Sequence, residues 1–367
     1  MIRELGLNNF KCFAQATLDL RPLTVLTGVN GGGKSTVLQA LLLARVASTT
    51  PHRIIRLNGP FGLALGTAAD VMSRAAQEPI IKFNLTREDS ETFEYRFAVP
   101  EDPEALHLIA EQVPDGPVPG VGNSPAAFTY LCAERLGPRD VLAVSAEAPD
   151  EIGVGSQGQF TAQILALRET RAVDTRRNVR PPLHHPGQSS SILRLQTEAW
   201  TSEIIRPVGI LAQHAPGVMA STIRFREANA FAETIRPANT GFGISYALPI
   251  IVAGLLAEPG DLLLVENPEA HLHPAGQSRL GRFLARVAGS GAQVLLETHS
   301  DHVLNGARLA IAQDHILEAP DAIVHYFDDS GAHAIEINDR GELSHWPEGF
   351  FDQIETDLGG LARARRQ

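Results

Sequence analysis

The stretch Leu23-Thr24-Val25-Leu26-Thr27-Gly28-Val29-Asn30-Gly31-Gly32-Gly33-Lys34-Ser35-Thr36-Val37-Leu38 decides the fold. Its first residues continue an apolar run at extended spacing that reads as a strand. Beyond the glycines, Val37, Leu38, Leu41, Leu42 and Val46 recur at helical spacing. The link between them has the pattern G-x-x-x-x-G-K-S in the strand-to-helix context that gives the pattern meaning. Glycines let backbone N–H groups converge on phosphate oxygens, and the helix N-terminus adds partial positive charge. Lys34 is expected to reach the β- and γ-phosphates and Ser35 to hold magnesium through its hydroxyl, with Asn30, Gly31, Gly32, Gly33 and Thr36 completing the cradle. The alternative, a glycine-rich turn with an incidental lysine, does not explain both flanks.

A phosphate cradle of this kind needs a carboxylate at the end of a neighbouring buried strand. Leu262-Leu263-Leu264-Val265-Glu266 supplies one, so Glu266 is expected with Ser35 in the magnesium shell. The competing role for Glu266 is a helix cap, since Asn267-Pro268-Glu269 opens a turn. One strand–helix–strand unit later, Glu297-Thr298-His299-Ser300-Asp301 puts His299 at a strand's carboxyl end. A neutral imidazole there can hydrogen-bond a γ-phosphate or the attacking water; a satisfied core histidine is the plainer alternative. From residue 244 helix and strand alternate, with an apolar helix through Leu248, Ile251 and Leu255, a helix from Gly276 to Val287, and the buried strand Val294-Leu295-Leu296. Such alternation implies a parallel sheet covered on both faces.

Elsewhere the first 27 residues read as strands, 80–99 as a hairpin turning at Arg87-Glu88-Asp89-Ser90, and the Pro- and Gly-rich 100–125 as a surface loop. Residues 126–235 show one further strand, Phe128 to Cys132, among segments of helical periodicity, with no sustained heptads and so no long coiled-coil arms. With 44% hydrophobic and 20% charged residues the chain has a globular composition, and no apolar run is long enough to span a bilayer. Two cysteines give no disulfide framework and the N-terminus lacks a signal-peptide pattern, so a cytoplasmic setting is expected. A net charge of −11 confines any nucleic-acid contact to local basic patches. Candidates are Arg168, Arg171, Arg176, Arg177 and Arg180, and the tail Arg363, Arg365 and Arg366; a solvated helix face and a frayed terminus are the plainer readings.

Taken together these residues resemble the ABC ATPase superfamily, in the branch of RecF, SMC and OLD-type ATPases. Leu7-Asn8-Asn9-Phe10-Lys11-Cys12-Phe13 is similar to the opening of those proteins, Glu266-Asn267-Pro268-Glu269-Ala270-His271-Leu272-His273-Pro274 to their acidic strand end and D-loop, and Glu297-Thr298-His299-Ser300 to their H-loop. Asn239-Thr240-Gly241-Phe242-Gly243-Ile244-Ser245 occupies the slot of the signature motif, although its side chains depart from the transporter-like sequence. The ENPEAHLHP string and Trp346-Pro347-Glu348-Gly349-Phe350-Phe351 look like a bacterial family of AAA/ABC ATPases with an uncharacterised C-terminal domain, found in phage-defence settings.

The resemblance implies an α/β P-loop head with a mixed sheet, an antiparallel β-subdomain and an inserted helical region. Residues 1–60 and 235–330 would form the ATPase lobe, 61–234 the β-subdomain with its insertion, and 331–367 a C-terminal extension. It also implies ATP and Mg²⁺ as ligands, and a dimer or higher oligomer in which Thr240, Gly241 and Gly243 of one subunit close the phosphate site of another. A partner effector is expected, DNA is an open possibility, and no membrane is involved. At Asn267 the superfamily usually has a water-polarising glutamate, so hydrolysis is expected to be slow or to draw its base from Glu269, His299 or Glu297. His271 and His273 more plainly shape the D-loop than bind zinc. The Q-loop equivalent is expected near Leu65-Gly66-Thr67 and Asp70, with Gln77 as the alternative, and Arg135 and Arg139 read as structural arginines. The residues after 330 are too few for the Toprim nuclease of OLD-type proteins, so cutting would fall to another protein. A regulatory scaffold with negligible hydrolysis is the alternative function. A transporter ATPase comes third, because the interval between Lys34 and Glu266 holds an insertion such subunits generally lack.

Overall fold

The computed structural model describes residues 1–122, 127–170, 178–226 and 233–364. Its first half runs β1 (Ile2–Phe10), β2 (Phe13–Asp19), β3 (Leu23–Gly28), α1 (Lys34–Thr49), β4 (Ile54–Arg56), α2 (Ala68–Val71), β5 (Ile80–Arg87), β6 (Thr92–Ala98), β7 (His107–Gln112), β8 (Phe128–Leu131) and β9 (Val141–Leu142). The second half runs α3 (Thr161–Thr170), α4 (Leu193–Ile204), β10 (Gly209–Ala215), β11 (Ala220–Arg226), α5 (Phe242–Leu256), β12 (Leu262–Glu266), α6 (Pro274–Gly289), β13 (Gln293–Glu297), α7 (Asp301–Ala312), β14 (Ala322–Asp328), β15 (Gly331–Glu336) and α8 (Gln353–Ala364).

Two six-stranded sheets organise these elements. One has the order β15-β14-β3-β13-β12-β8, parallel except for the edge strand β15. Its central strands β3 and β13 are buried on both faces, which is why they read as nearly unbroken apolar runs. The other sheet is antiparallel, in the order β2-β1-β5-β6-β7-β4. Helix α1 lies between the two, and its residues from Thr36 to Ala47 are buried apart from Gln39. A helix apolar on every side is stable only in such a place, where each fully buried leucine contributes about 1.5–3 kcal/mol. Helices α4 to α7 cover the opposite face of the parallel sheet in a second core containing Trp200, Phe283 and Leu284.

The 80–99 hairpin and the helices of the second half lie where their periodicity put them. The segment 100–125 departs from a plain loop, because His107–Gln112 forms β7 and pairs with β6 and β4. The inserted region holds more than helices: β9, β10 and β11 form a three-stranded antiparallel sheet. The sheets also cross the boundaries expected from sequence. β1, β2 and β4 of the 1–60 segment belong to the antiparallel sheet, whereas β8 from within 61–234 and β15 from within 331–367 extend the parallel one. The reason is that sheet membership follows hydrogen-bonded edges and not chain proximity. The longest described helices have 16 residues, in keeping with the missing heptads.

Candidate nucleotide site

β3 leaves the sheet at Gly28, and α1 begins at Lys34 with Gly33 as its N-cap at φ 109°. A Cβ on Gly33 would stand 2.6 Å from Phe13 Cζ and 2.9 Å from Cys12 Sγ, so both dihedral and space demand glycine. Asn30, Gly31, Gly33, Lys34, Ser35 and Thr36 line an open cleft of about 440 Å³. Gly32 does not line it and packs instead against Phe327. The buried Lys34 folds back on its own loop, Nζ donating to the carbonyls of Gly28 (3.0 Å) and Val29 (2.8 Å). Across the cleft stand Glu297, His299, Lys11, Cys12 and Gln39, with Lys11 Nζ donating to Gln39 Oε1 at 2.8 Å. Gln39 was legible in principle, lying one turn beyond Ser35 on the same helix face.

The carboxylate that meets the phosphate loop is that of Glu297. Ser35 Oγ donates to Glu297 Oε1 at 3.0 Å, and Oε2 is buried with no hydrogen-bond partner. Burial pushes the Glu297 carboxyl up to about 7, the nearby Glu266 adding to the rise while Ser35 and Lys34 oppose it. Glu266 sits one strand further out, because β13 lies between β3 and β12 and Glu266 pairs in register with Glu297. Both Glu266 oxygens are engaged: Tyr130 OH donates to Oε1 (2.9 Å) and the Ala133 N–H to Oε2 (3.0 Å). Glu266 does not line the cleft. Sequence order placed Glu266 on a strand end but carried no information about which strand is adjacent to β3.

Asn267 has φ 42°, its N–H donates to the Glu297 carbonyl at 2.8 Å, and its Oδ1 is buried without a partner. Glu269 is bound on both oxygens, by Thr298 Oγ1 (2.7 Å) and the His299 N–H (2.9 Å). It therefore ties the D-loop to the H-loop with one hydrogen bond on each carboxylate oxygen. Burial and the charge of Lys34 hold His299 below the usual imidazole range against the pull of Glu269, so the ring is neutral at pH 7. Arg135, 2% exposed, reaches the carbonyls of Cys132, Glu266, Asn267 and Tyr246 at 2.6–3.2 Å. Its role is structural, as expected, but the junction it braces is the site's own.

Thr240, Gly241 and Gly243 do not line this chain's phosphate cleft. Thr240 is buried and donates to the Pro237 carbonyl at 2.8 Å; Gly241 caps the start of α5 at φ 84°. Gly243 packs against the D-loop, where a Cβ would meet the His271 carbonyl at 2.9 Å. Phe242, 53% exposed, lies 5.1 Å from the His271 ring, which also meets Tyr246 at 4.4 Å. His273 Nδ1 accepts from the Ala275 N–H at the start of α6, so both histidines shape the loop. Gly66 and Asp70 serve local turns, Gly66 through Asn58 and Asp70 through Thr67, and neither lines the cleft.

Of the arginine patch, Arg171, Arg176 and Arg177 lie outside the described residues, as do Arg365 and Arg366 of the tail. Arg168 is buried. Arg180 is a staple between segments, donating to the Ala257 and Ser290 carbonyls and pairing with Glu258 at 3.1 Å. Neither presents a free cationic face to a nucleic acid. Among the described residues no three His, Cys, Asp or Glu side chains form a metal cage, and no helix is long and apolar enough to cross a membrane.

Comparison with known proteins agrees with this geometry. Residues 1–104 match the AAA ATPase domain family, and residues 158–305 match an AAA domain family whose description names the AbiEii toxin and type IV toxin–antitoxin systems. Residues 317–361 match a domain of unknown function, DUF3696. An OLD nuclease of Thermus scotoductus is 23% identical over 338 residues, which cover 82% of this chain. The chain spans 59% of that relative's length. Two solved structures share the fold. An Smc head domain with an extended coiled coil, bound to the ScpA C-terminal domain and derived from Pyrococcus furiosus, has a TM-score of 0.53 at 13% identity and covers 99% of both chains. An Smc head bound to the ScpA C-terminal winged-helix domain has a TM-score of 0.52 at 11% identity, covering 92% of this chain and 98% of that one.

Proposed function

We propose that this chain, which has an SMC-head-like fold and AAA ATPase domain matches, binds Mg–ATP in the Lys34 cleft and closes with a second copy around two nucleotides. That closure is passed to a partner effector or to DNA. The observation that carries this is the separation of the two half-sites: the phosphate loop lines the cleft, while Thr240, Gly241 and Gly243 stand outside it beside the exposed Phe242. A site split in this way is completed by the facing surface of another subunit, which in a two-fold pair contributes equally to both nucleotides. The Gly241–Phe242 start of α5 then offers its N–H groups and partial positive charge to the partner's γ-phosphate.

Within one subunit, Lys34 exchanges the Gly28 and Val29 carbonyls for phosphate oxygens, and the neutral His299 hydrogen-bonds the terminal phosphate. Magnesium fits the inner end of the cleft, because the Ser35 hydroxyl and the unpartnered buried oxygen of Glu297 are the hard donors it prefers. Bound there, it would neutralise charge on the phosphate oxygens. Asn267 cannot take a proton, and Glu269 is held on both oxygens, so turnover is slow and the closed dimer long-lived. The toxin–antitoxin description and the nuclease relative support a place in phage defence. The same Asn267 favours a second reading, a nucleotide-gated scaffold that barely hydrolyses.

Mixing separates these ideas from their opposite. Lys34→Ala and Gly241→Asp variants, each inactive alone, should regain phosphate release when combined, since one intact composite site forms in the heterodimer. Absence of recovery, with both variants folded and wild type active, rejects the shared site. Wild-type dimerisation on ATP without phosphate release selects the scaffold.

A further inference from the structure

A cavity of about 560 Å³ lies between the second half of α1, the 59–62 turn, β8 and the 147–160 segment, and it shares no residue with the phosphate-loop cleft. Its volume is that of a small-molecule site. Aromatic rings wall it, from Phe61, Phe128, Tyr130 and Phe160. The Phe61 ring lies 5.5 Å from that of Phe128, and Phe61 holds φ 55°, a left-handed conformation that a bulky side chain seldom adopts. Such a dihedral persists only where the surroundings fix it, and here it keeps the ring on the cavity wall. Three charged side chains line the space. Glu147 and Glu151 are exposed, and neither carboxylate is paired among the described residues. Arg45, the one cation of the lining, is 5% exposed; it donates to the Val121 and Gly122 carbonyls and lies 5.6 Å from the Phe128 ring centre. Its charge is spent on the wall itself. A ligand therefore meets aromatic faces, whose quadrupole is negative, and two carboxylates that nothing neutralises.

We propose that this cavity binds a small organic cation, an amidinium, guanidinium or ammonium group on a flat apolar body, with the body against the rings and the charge towards Glu147 and Glu151. An anion would face the carboxylates, and a neutral molecule would gain nothing from them. The site stands independently of the nucleotide cleft. Tyr130 belongs to its wall and gives its hydroxyl to Glu266, so an occupant touches a residue bonded to the end of β12.

The test titrates the full chain with benzamidine, benzamide and benzoate, flat molecules of one shape that carry positive, no and negative charge, and follows binding by ligand-observed NMR. Wild type should bind benzamidine about fivefold or more tighter than benzamide, with benzoate weakest. Combining Glu147→Gln with Glu151→Gln should bring benzamidine and benzamide level. Phe61→Gly removes one wall and also relieves the positive φ, so it should stay folded by circular dichroism and lose affinity for both molecules. A non-hydrolysable ATP analogue should not displace benzamidine; displacement puts the cation in the phosphate-loop cleft and overturns the proposal. Equal binding of all the probes by wild type, or no saturation at millimolar concentration, overturns it too. So does an undiminished preference in the glutamine variant, or unchanged affinity in Phe61→Gly.

Discussion

Replacing Arg135 by methionine removes a buried fork while filling much of its volume, and the expected loss follows from what the fork holds. Its nitrogens reach Cys132 O at 2.8 Å, Glu266 O and Asn267 O at 2.6 Å, and Tyr246 O at 3.2 Å. Four carbonyls lose a charged donor where no water replaces it, and a buried acceptor left unpaired costs about 1 kcal/mol or more. Relief from burying the guanidinium offsets part of the sum, so the net destabilisation should be about 3–4 kcal/mol. Arg135→Lys should recover only a fraction, because a single ammonium cannot span carbonyls arranged for a planar fork. The assay is guanidinium-chloride unfolding followed by far-UV circular dichroism, with phosphate release measured in parallel. An Arg135→Met loss below about 1 kcal/mol, within the range of ordinary surface substitutions and small core changes, would refute the bracing role.

Four further outcomes are expected. Glu297 has its carboxyl raised to about 7, so the nucleotide-free fold binds more protons than the unfolded chain between the ordinary glutamate range and that value. Its contribution is therefore fully present in acid and lost as pH rises through about 7; the difference in unfolding free energy between pH 5 and 8 should shrink by on the order of 2 kcal/mol in Glu297→Gln, and an unchanged difference contradicts it. Gly28→Ala puts a Cβ 2.1 Å from the Phe327 carbonyl at φ 128°, so it should abolish nucleotide binding and lower the melting temperature, as differential scanning fluorimetry will show. Lys34→Ala should remove ATP binding in calorimetry yet cost no more than about 2 kcal/mol of stability, since the amine holds only two carbonyls of its own loop. Phe242→Asp, at an exposed ring, should leave the melting temperature unchanged but suppress ATP-dependent dimers in light scattering.

The phosphate loop, the buried strand ends and the helices flanking them were legible because each is set by local pattern: glycines at fixed offsets, apolar runs, helical spacing. What was not legible is pairwise. That β13 inserts between β3 and β12 follows from the sheet as a whole, and it is this insertion that brings Glu297 to Ser35 and leaves Glu266 with Tyr130. Arg180 sits in a run of arginines that looks like a charged face, yet its partners are Ala257, Glu258 and Ser290, far along the chain. β7 was missed because it lies inside a Pro- and Gly-rich segment, and the sheet of β9, β10 and β11 because β9 has two residues and β10 and β11 meet at Pro216-Gly217, so tertiary pairing decides them more than propensity does.

The double engagement of Glu269 has a mechanical consequence. Its carboxylate grips Thr298 and the His299 backbone, while two residues along the chain the His271 ring meets Phe242 at a tilt and Tyr246 edge-on. The route from that aromatic cluster to the His299 backbone runs through Glu269 alone, two residues along the chain and one hydrogen bond across. The histidine of the cleft and the aromatic cluster outside it are thus joined by a short bonded path, so a load on the cluster has few soft joints to cross before it reaches the cleft.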